Sequence, residues 1–112
     1  MGKDANAFLF YIINSIAIIN RHLTHTQSLR EYENNFLVTD AIERRFAVIG
    51  EALSKASKLN SDIKVSHQKK IIALRHIIVH DYDLVDSNAI WAIVKVYLPI
   101  LKEEISKYLD KN

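Results

Sequence analysis

Apolar residues recur at helical intervals along almost the whole chain. Phe8, Ile12, Ile16, Ile19 and Leu23 fall three and four apart, and Leu9, Ile13 and Ala17 form a second stripe beside them. This spacing predicts a first helix over residues 4–24. A helix apolar around most of its circumference is either central in its fold or covered by the core on one side and a partner on the other; in so small a bundle the second arrangement implies dimerisation. Ser28-Leu29-Arg30-Glu31 has the capping-box pattern, which predicts a short helix over residues 28–34, ended by Asn34-Asn35. Asp40-x-x-Glu43 is a second such box, so the next long helix is expected from residue 39 or 40 to about 58, with Ile42, Phe46, Ile49 and Leu53 inward. Gly50 lies inside it, where glycine costs about 1 kcal/mol relative to alanine and is explained if another backbone passes close by.

Residues 59–65 read as a polar connection. A third long helix is expected over residues 66–80, carrying Ile71, Ile72, Leu74, Ile78 and Val79, and a fourth over residues 86–108, with Asp86 as its N-cap. Pro99 falls within the fourth helix, removes one of its hydrogen bonds and should kink it. Short connections make neighbouring helices antiparallel. The expected fold is all-α: an up-and-down antiparallel four-helix bundle with a short extra helix between helices 1 and 2, forming a single domain over residues 1–112.

Composition agrees and removes some chemistries. Two glycines and one proline in 112 residues are too few to punctuate a sheet. With no cysteine there is no disulfide framework, no thiolate nucleophile and no thiolate zinc site. The longest apolar stretch, residues 7–19, is too short for a membrane span of about 20 residues, and it lacks the basic leader and cleavage site of a signal peptide. The expectation is a cytoplasmic protein without membrane association.

The net charge of +2 is too small to assign a nucleic-acid binder, but its distribution is uneven. Residues 1–63 hold seven basic and seven acidic side chains. Residues 64–80 then carry Lys64, Lys69, Lys70 and Arg75, three histidines and no acid, and Asp81, Asp83 and Asp86 follow. Within this segment His76 and His80 are four apart and share a helix face, whereas Arg75 and His80 are about 140° apart. Arg75 and Tyr82, seven apart, would be nearly eclipsed if the helix persisted that far. One copy therefore brings Arg75 and His80 together poorly, and two copies about a two-fold axis could pool one cleft.

Arginine is a permanent planar cation that binds phosphate through two parallel hydrogen bonds, and histidine exchanges a proton near neutral pH. Beside a phosphodiester the pair suffices for RNA cleavage without a metal: a base takes the 2′-hydroxyl proton and the cation stabilises the charge developing on phosphorus. Lys69 and Lys70, one to two turns upstream, could hold the RNA backbone, although lysines in such a position also serve as a merely solvated face. Arg75 and His80 could equally cap helix carbonyls. His76 and His80, with Asp81 or Asp83, could chelate a metal, but two histidines without a fixed third ligand are a weak metal pattern.

Arg75-x4-His80-x-Tyr82 matches the R-x4-H-x-Y pattern, and the chain resembles the HEPN-superfamily ribonucleases, in particular the HepT-like toxins of toxin–antitoxin pairs. The resemblance extends to Ala41-Ile42-Glu43-Arg44-Arg45 with Ile49-Gly50-Glu51-Ala52, and to Leu98-Pro99-x-Leu101. It implies a homodimer with the motif at its interface and a metal-independent endoribonuclease with no cofactor and no metal. Such a toxin belongs to a type VII-like module and acts on tRNA or other cellular RNA. It further implies that Arg75 and His80 are the catalytic pair and that His76 supports them at a position where HepT-like chains more often have Asn. Tyr82 would be the tyrosine that a cognate MntA-type nucleotidyltransferase antitoxin modifies with AMP. The competing expectation is a non-catalytic helical partner that docks such a nucleotidyltransferase and presents a substrate to it. Arg44, Arg45 and Glu51 read as an ion-pair set on one helix face; Trp91, Tyr97 and Tyr108 read as packing, and His22, His25 and His67 as surface residues.

Overall fold

A computed structural model describes residues 3–110, the side chains of Lys3 and Tyr82 lying outside the described set. Helix α1 spans Lys3–His22, α2 Leu29–Glu33, α3 Phe36–Leu59 and α4 Gln68–His80; a 3-10 turn, Tyr82–Leu84, follows. Helix α5, Ser87–Ala92, runs through a π-helical stretch, Ile93–Tyr97, into α6, Leu98–Asp110. No strand occurs among the described residues, so the all-helical bundle expected from periodicity is the fold observed.

The central element is α3, packed along α1 on one side and α4 on the other, while α1 also meets α6. From α3 the side chains of Ile42, Phe46, Ile49, Leu53 and Ala56 are fully buried. On α1 the buried stripe is Ala5, Leu9, Ile12, Ile16 and Ile19, continued by Leu23. Ile12, Ile16, Ile19 and Leu23 are the expected stripe; Leu9, from the second stripe, is fully inside, whereas Phe8 and Ile13 are half-buried and Ala17 is exposed. Phe10 and Tyr11 face outward, so α1 is an outer helix with one covered face.

Local chemistry sets the helix ends. Ser28 caps α2 by accepting from the Glu31 N–H at 3.2 Å, and the Glu31 carboxylate accepts from the Gln27 N–H at 2.7 Å. Helix α3 begins one turn earlier than expected because Asn35, not Asp40, is its N-cap, accepting from the Val38 N–H at 3.2 Å. Asp40 therefore sits inside the helix, and the Glu43 carboxyl is raised above its ordinary pKa, first by its own partial burial and then by the charge of Asp40. The connection after α3 is less polar than it reads: Ile63 is buried within it. The Tyr108 hydroxyl pins the same segment, accepting from the Lys64 N–H at 3.0 Å and lying 3.0 Å from the carbonyls of Asp62 and Lys64. Tyr108 is thus a polar clasp as well as a packing group.

Helix α4 starts at Gln68, two residues later than expected. His67 holds the N-cap position in the left-handed region, φ 61°, with no side-chain cap; its ring is stacked on Tyr97 at 4.0 Å. Just before Pro99 the helix widens into the π-helical stretch. The Leu98 N–H donates to the carbonyl of Ile93, five residues back, in the turn just before the residue that cannot donate. No described helix is long and apolar enough to cross a membrane.

Tyr32 is fully buried beside Trp91, with ring centroids 5.6 Å apart, and its hydroxyl has no hydrogen-bond partner among the described residues. Burial, helped by Glu43 and Asp40, raises its pKa. Removing an unsatisfied buried hydroxyl relieves its desolvation cost, so Tyr32→Phe is expected to stabilise the fold by about 1 kcal/mol. Urea unfolding measures this; a loss of stability would mean that the hydroxyl is satisfied in solution.

Candidate active site

The site is built where α3 and α4 touch. Gly50 supplies the approach: a Cβ placed on it would collide with the Arg75 side chain, lying 2.7 Å from its Cγ, and would sit 3.5 Å from the Ile71 carbonyl. The close passage of a second backbone inferred from Gly50 is thus present, and that backbone is α4. Arg75 leaves α4 directly over Gly50, and its guanidinium forms a salt bridge with Glu51, the next residue of α3. Glu51 also pairs with Lys55 at 3.4 Å, one turn along the same helix. The expected pairing of Glu51 with Arg44 on one helix face is not what forms, because α4 delivers a cation from across the interface.

Arg75 is three-quarters buried and its Nε has no hydrogen-bond partner among the described residues. An unpaired buried donor of this kind costs about 1–3 kcal/mol, so packing against Gly50 fixes the side chain at the expense of one hydrogen bond. Arg75 lines an open groove of about 380 Å³ between α1, α3 and α4. Arg44 and Glu51 line the groove from α3, Phe8 and Tyr11 from α1, and Val79 from α4.

His76 and His80 share a face as expected, with ring centroids 4.5 Å apart, and both are exposed. Arg75 turns instead toward α3, so within one copy the arginine and His80 occupy different sides of α4, in keeping with their angular offset. The helix ends at His80. Asp81, with φ −132° and ψ 49°, still donates its N–H to the Ile77 carbonyl but has left helical geometry. Helical continuation to Tyr82 therefore fails, and with it the eclipsing of Arg75 and Tyr82; the Tyr82 phenol lies outside the described residues. Among the described residues no three of His, Cys, Asp and Glu come together as metal ligands.

Lys69 and Lys70 are both exposed near the start of α4. Lys70 donates to the Tyr97 hydroxyl at 3.2 Å, with its ammonium 5.3 Å from the Tyr97 ring centroid. His67 stacks on the same ring, so two residues read as packing or plain surface join one cluster at this end of the helix.

Sequence reasoning missed Glu51 as the partner of Arg75, and it gave Tyr11 and Arg44 no part in the site. Gly50 was the available signal: a glycine that admits another helix places its neighbour Glu51 against that helix.

The family model described as "Ribonuclease HepT-like" matches residues 12–108. A relative from Methanocaldococcus jannaschii, named "gamma-glutamylcyclotransferase and putative RNase", is 34% identical over all of this chain and 52% of its own length. The chain thus spans about half of that protein. Two other proteins of the same organism, each named "putative RNase", are 30% and 31% identical, over 92% and 96% of this chain and 94% and 88% of their own lengths. No solved structure matches significantly. A family match that takes in α3, α4, Arg75 and His80, together with likeness over most of their length to the two proteins named "putative RNase", shows that the chain belongs to the HepT-like ribonuclease family.

Proposed function

We propose that the chain is an endoribonuclease that cleaves RNA without a metal, as the toxin of a two-gene module in the cytoplasm. The observation that carries this reading is Arg75: its stem packs over Gly50, its guanidinium pairs with Glu51, and the residue lines an open groove. Such a cation is preorganised for a phosphodiester and need not be reoriented when charge develops on it. His80 is the acid/base. One imidazole takes the 2′-hydroxyl proton as that oxygen attacks phosphorus, and the imidazolium so formed gives a proton to the 5′-oxygen as its bond to phosphorus breaks, leaving a 2′,3′-cyclic phosphate and a 5′-hydroxyl. Because Arg75 and His80 face different sides of α4, a homodimer that sets His80 of one copy beside Arg75 of the other completes the pair. His76, in ring contact with His80, holds it in place. Lys69 and Lys70 contact the RNA backbone.

Regulation follows from position. Tyr82 lies two residues beyond His80, and transfer of AMP to its phenol by an MntA-type nucleotidyltransferase, with release of pyrophosphate from ATP, adds negative charge and bulk next to the motif. Glu51 acts on the reaction through Arg75. Glu51→Gln keeps the shape and loses the charge, so it is expected to lower kcat about tenfold with little change in KM, and Glu51→Asp to recover part of the loss.

The deciding experiment is incubation of total tRNA with the purified protein in excess EDTA. Fragments bearing 2′,3′-cyclic phosphate ends are expected. Intact RNA, with mass spectrometry showing Tyr82 unmodified, would overturn the reading in favour of a docking partner for the nucleotidyltransferase.

A further inference from the structure

The groove beside Arg75 has features that phosphate chemistry alone does not use. Its floor is the face of α3 that carries Ala47, Val48 and Ala52, small enough to leave a trough, and its opposite wall comes from α1. On that wall Tyr11 is 55% exposed and meets Phe8 edge to face, with ring centroids 5.9 Å apart. An exposed aromatic side chain held by a second ring is a stacking platform, because the edge contact fixes its plane while a face stays open. Arg44 adds a second guanidinium, and its expected partner Glu51 is taken by Arg75 and Lys55. The charged lining is therefore Arg44, Arg75 and one carboxylate, a net positive surface. At about 380 Å³ the groove falls within the roughly 300–1,000 Å³ range of clefts that hold small organic ligands.

We propose that this groove is a nucleotide subsite of the RNA substrate: the base adjoining the cleaved bond stacks on Tyr11, and its phosphate lies between Arg44 and Arg75. The inference rests on the ribonuclease reading for its ligand class and deepens it by naming residues outside the R-x4-H-x-Y motif. A base presents an apolar π-face that suits the Phe8–Tyr11 wall, and a phosphodiester carries the single negative charge that balances the net positive charge of Arg44, Arg75 and Glu51 together. Stacking is tolerant of sequence, so the subsite would secure the strand without dictating the target.

Binding separates this inference from catalysis. A short fluorescent oligoribonucleotide, 2′-O-methylated throughout so that it cannot be cleaved, is titrated against the full chain by anisotropy. Tyr11→Ala is expected to weaken binding roughly tenfold and Tyr11→Phe by no more than about threefold, since the ring and not the hydroxyl does the stacking. Arg44→Gln should weaken binding and flatten its dependence on the logarithm of salt concentration by about 0.7, the contribution of one phosphate contact on a single strand. Failure of the wild type to bind, or equal binding by all variants, would overturn the proposal. Loss of binding by Tyr11→Ala together with conversion of a dimer to monomers in sedimentation would also overturn it, by making the groove a seat for a second copy. Binding that follows the expected pattern in a protein unable to cleave tRNA would leave the subsite standing and remove the ribonuclease reading. Circular dichroism of each variant checks folding, which an exposed Tyr11 should not control.

Discussion

His80→Ala is expected to reduce tRNA cleavage by about 10²- to 10⁴-fold, the range that a positioned general acid or base contributes. Arg75→Ala should cost about 10²–10³, the loss found when one charge-stabilising donor is removed from a preorganised site. The two variants should also differ in a way that reports their roles. His80 is exposed at the end of α4, and its removal leaves the packing between helices untouched, so thermal stability should stay near that of the wild type. Arg75 is three-quarters buried against α3, and truncating it strips Glu51 of its partner across the interface, so Arg75→Ala should lose stability as well as activity. Because His80 and Arg75 of one copy face different sides of α4, mixing the two inactive variants gives a further result. If the active pair is completed between copies, heterodimers should regain one intact site out of two, and activity should partly return on mixing. Wild-type activity in His80→Ala would sink the acid/base assignment. No recovery on mixing would sink the shared cleft and leave only a site within one copy.

How much of this was legible in the sequence depends on which contacts decide each feature. Helix existence follows from the spacing of Ile42, Phe46, Ile49 and Leu53, a local pattern that only a helix can bury on one side. Boundaries were less legible where two capping groups compete. Asn35 and Asp40 both precede helical runs, and the earlier one wins because Val38 and its neighbours already satisfy helical geometry. The end of α4 at His80 was legible, the helix stopping where the expected one does, so the eclipsing of Arg75 with Tyr82, conditional on a longer helix, does not arise. The site divides along the same line. Arg75 and His80 are adjacent enough in sequence for their spacing to be read. The partner of Arg75 is 24 residues away on another helix, and charge patterning along one helix pointed Glu51 at Arg44 instead. Tyr11 and Arg44 reach the groove only through the packing of α1 against α3, a tertiary fact that helical periodicity does not encode.

Gly50→Ala is expected to destabilise the protein even though alanine is the better helix former. On an isolated helix the exchange would gain about 1 kcal/mol. Here the added methyl group meets the Cβ and Cγ of Arg75 and comes within van der Waals distance of the Ile71 carbonyl. The Cβ of Arg75 is tied to the α4 backbone and cannot rotate away, so relief requires α4 to move off α3. Overpacking of a close helix contact costs about 1–3 kcal/mol, and a bulkier residue costs more. Gly50→Val, which adds a branched side chain in the same place, should therefore lose at least about 3 kcal/mol, equivalent to a drop in Tm of roughly 12 °C or more for a domain of this size. The same displacement should reach the chemistry, because it carries Arg75 away from Glu51 and from the groove. Cleavage is expected to fall in Gly50→Ala by a factor larger than the unfolded fraction explains, measured at a temperature where circular dichroism shows the variant fully folded. A Gly50→Ala protein as stable and as active as the wild type would mean that α3 and α4 are further apart than described and that Arg75 is not held by this contact. Loss of stability with cleavage intact would separate the packing role of Gly50 from the positioning of Arg75, and would place the control of the guanidinium in Glu51 alone.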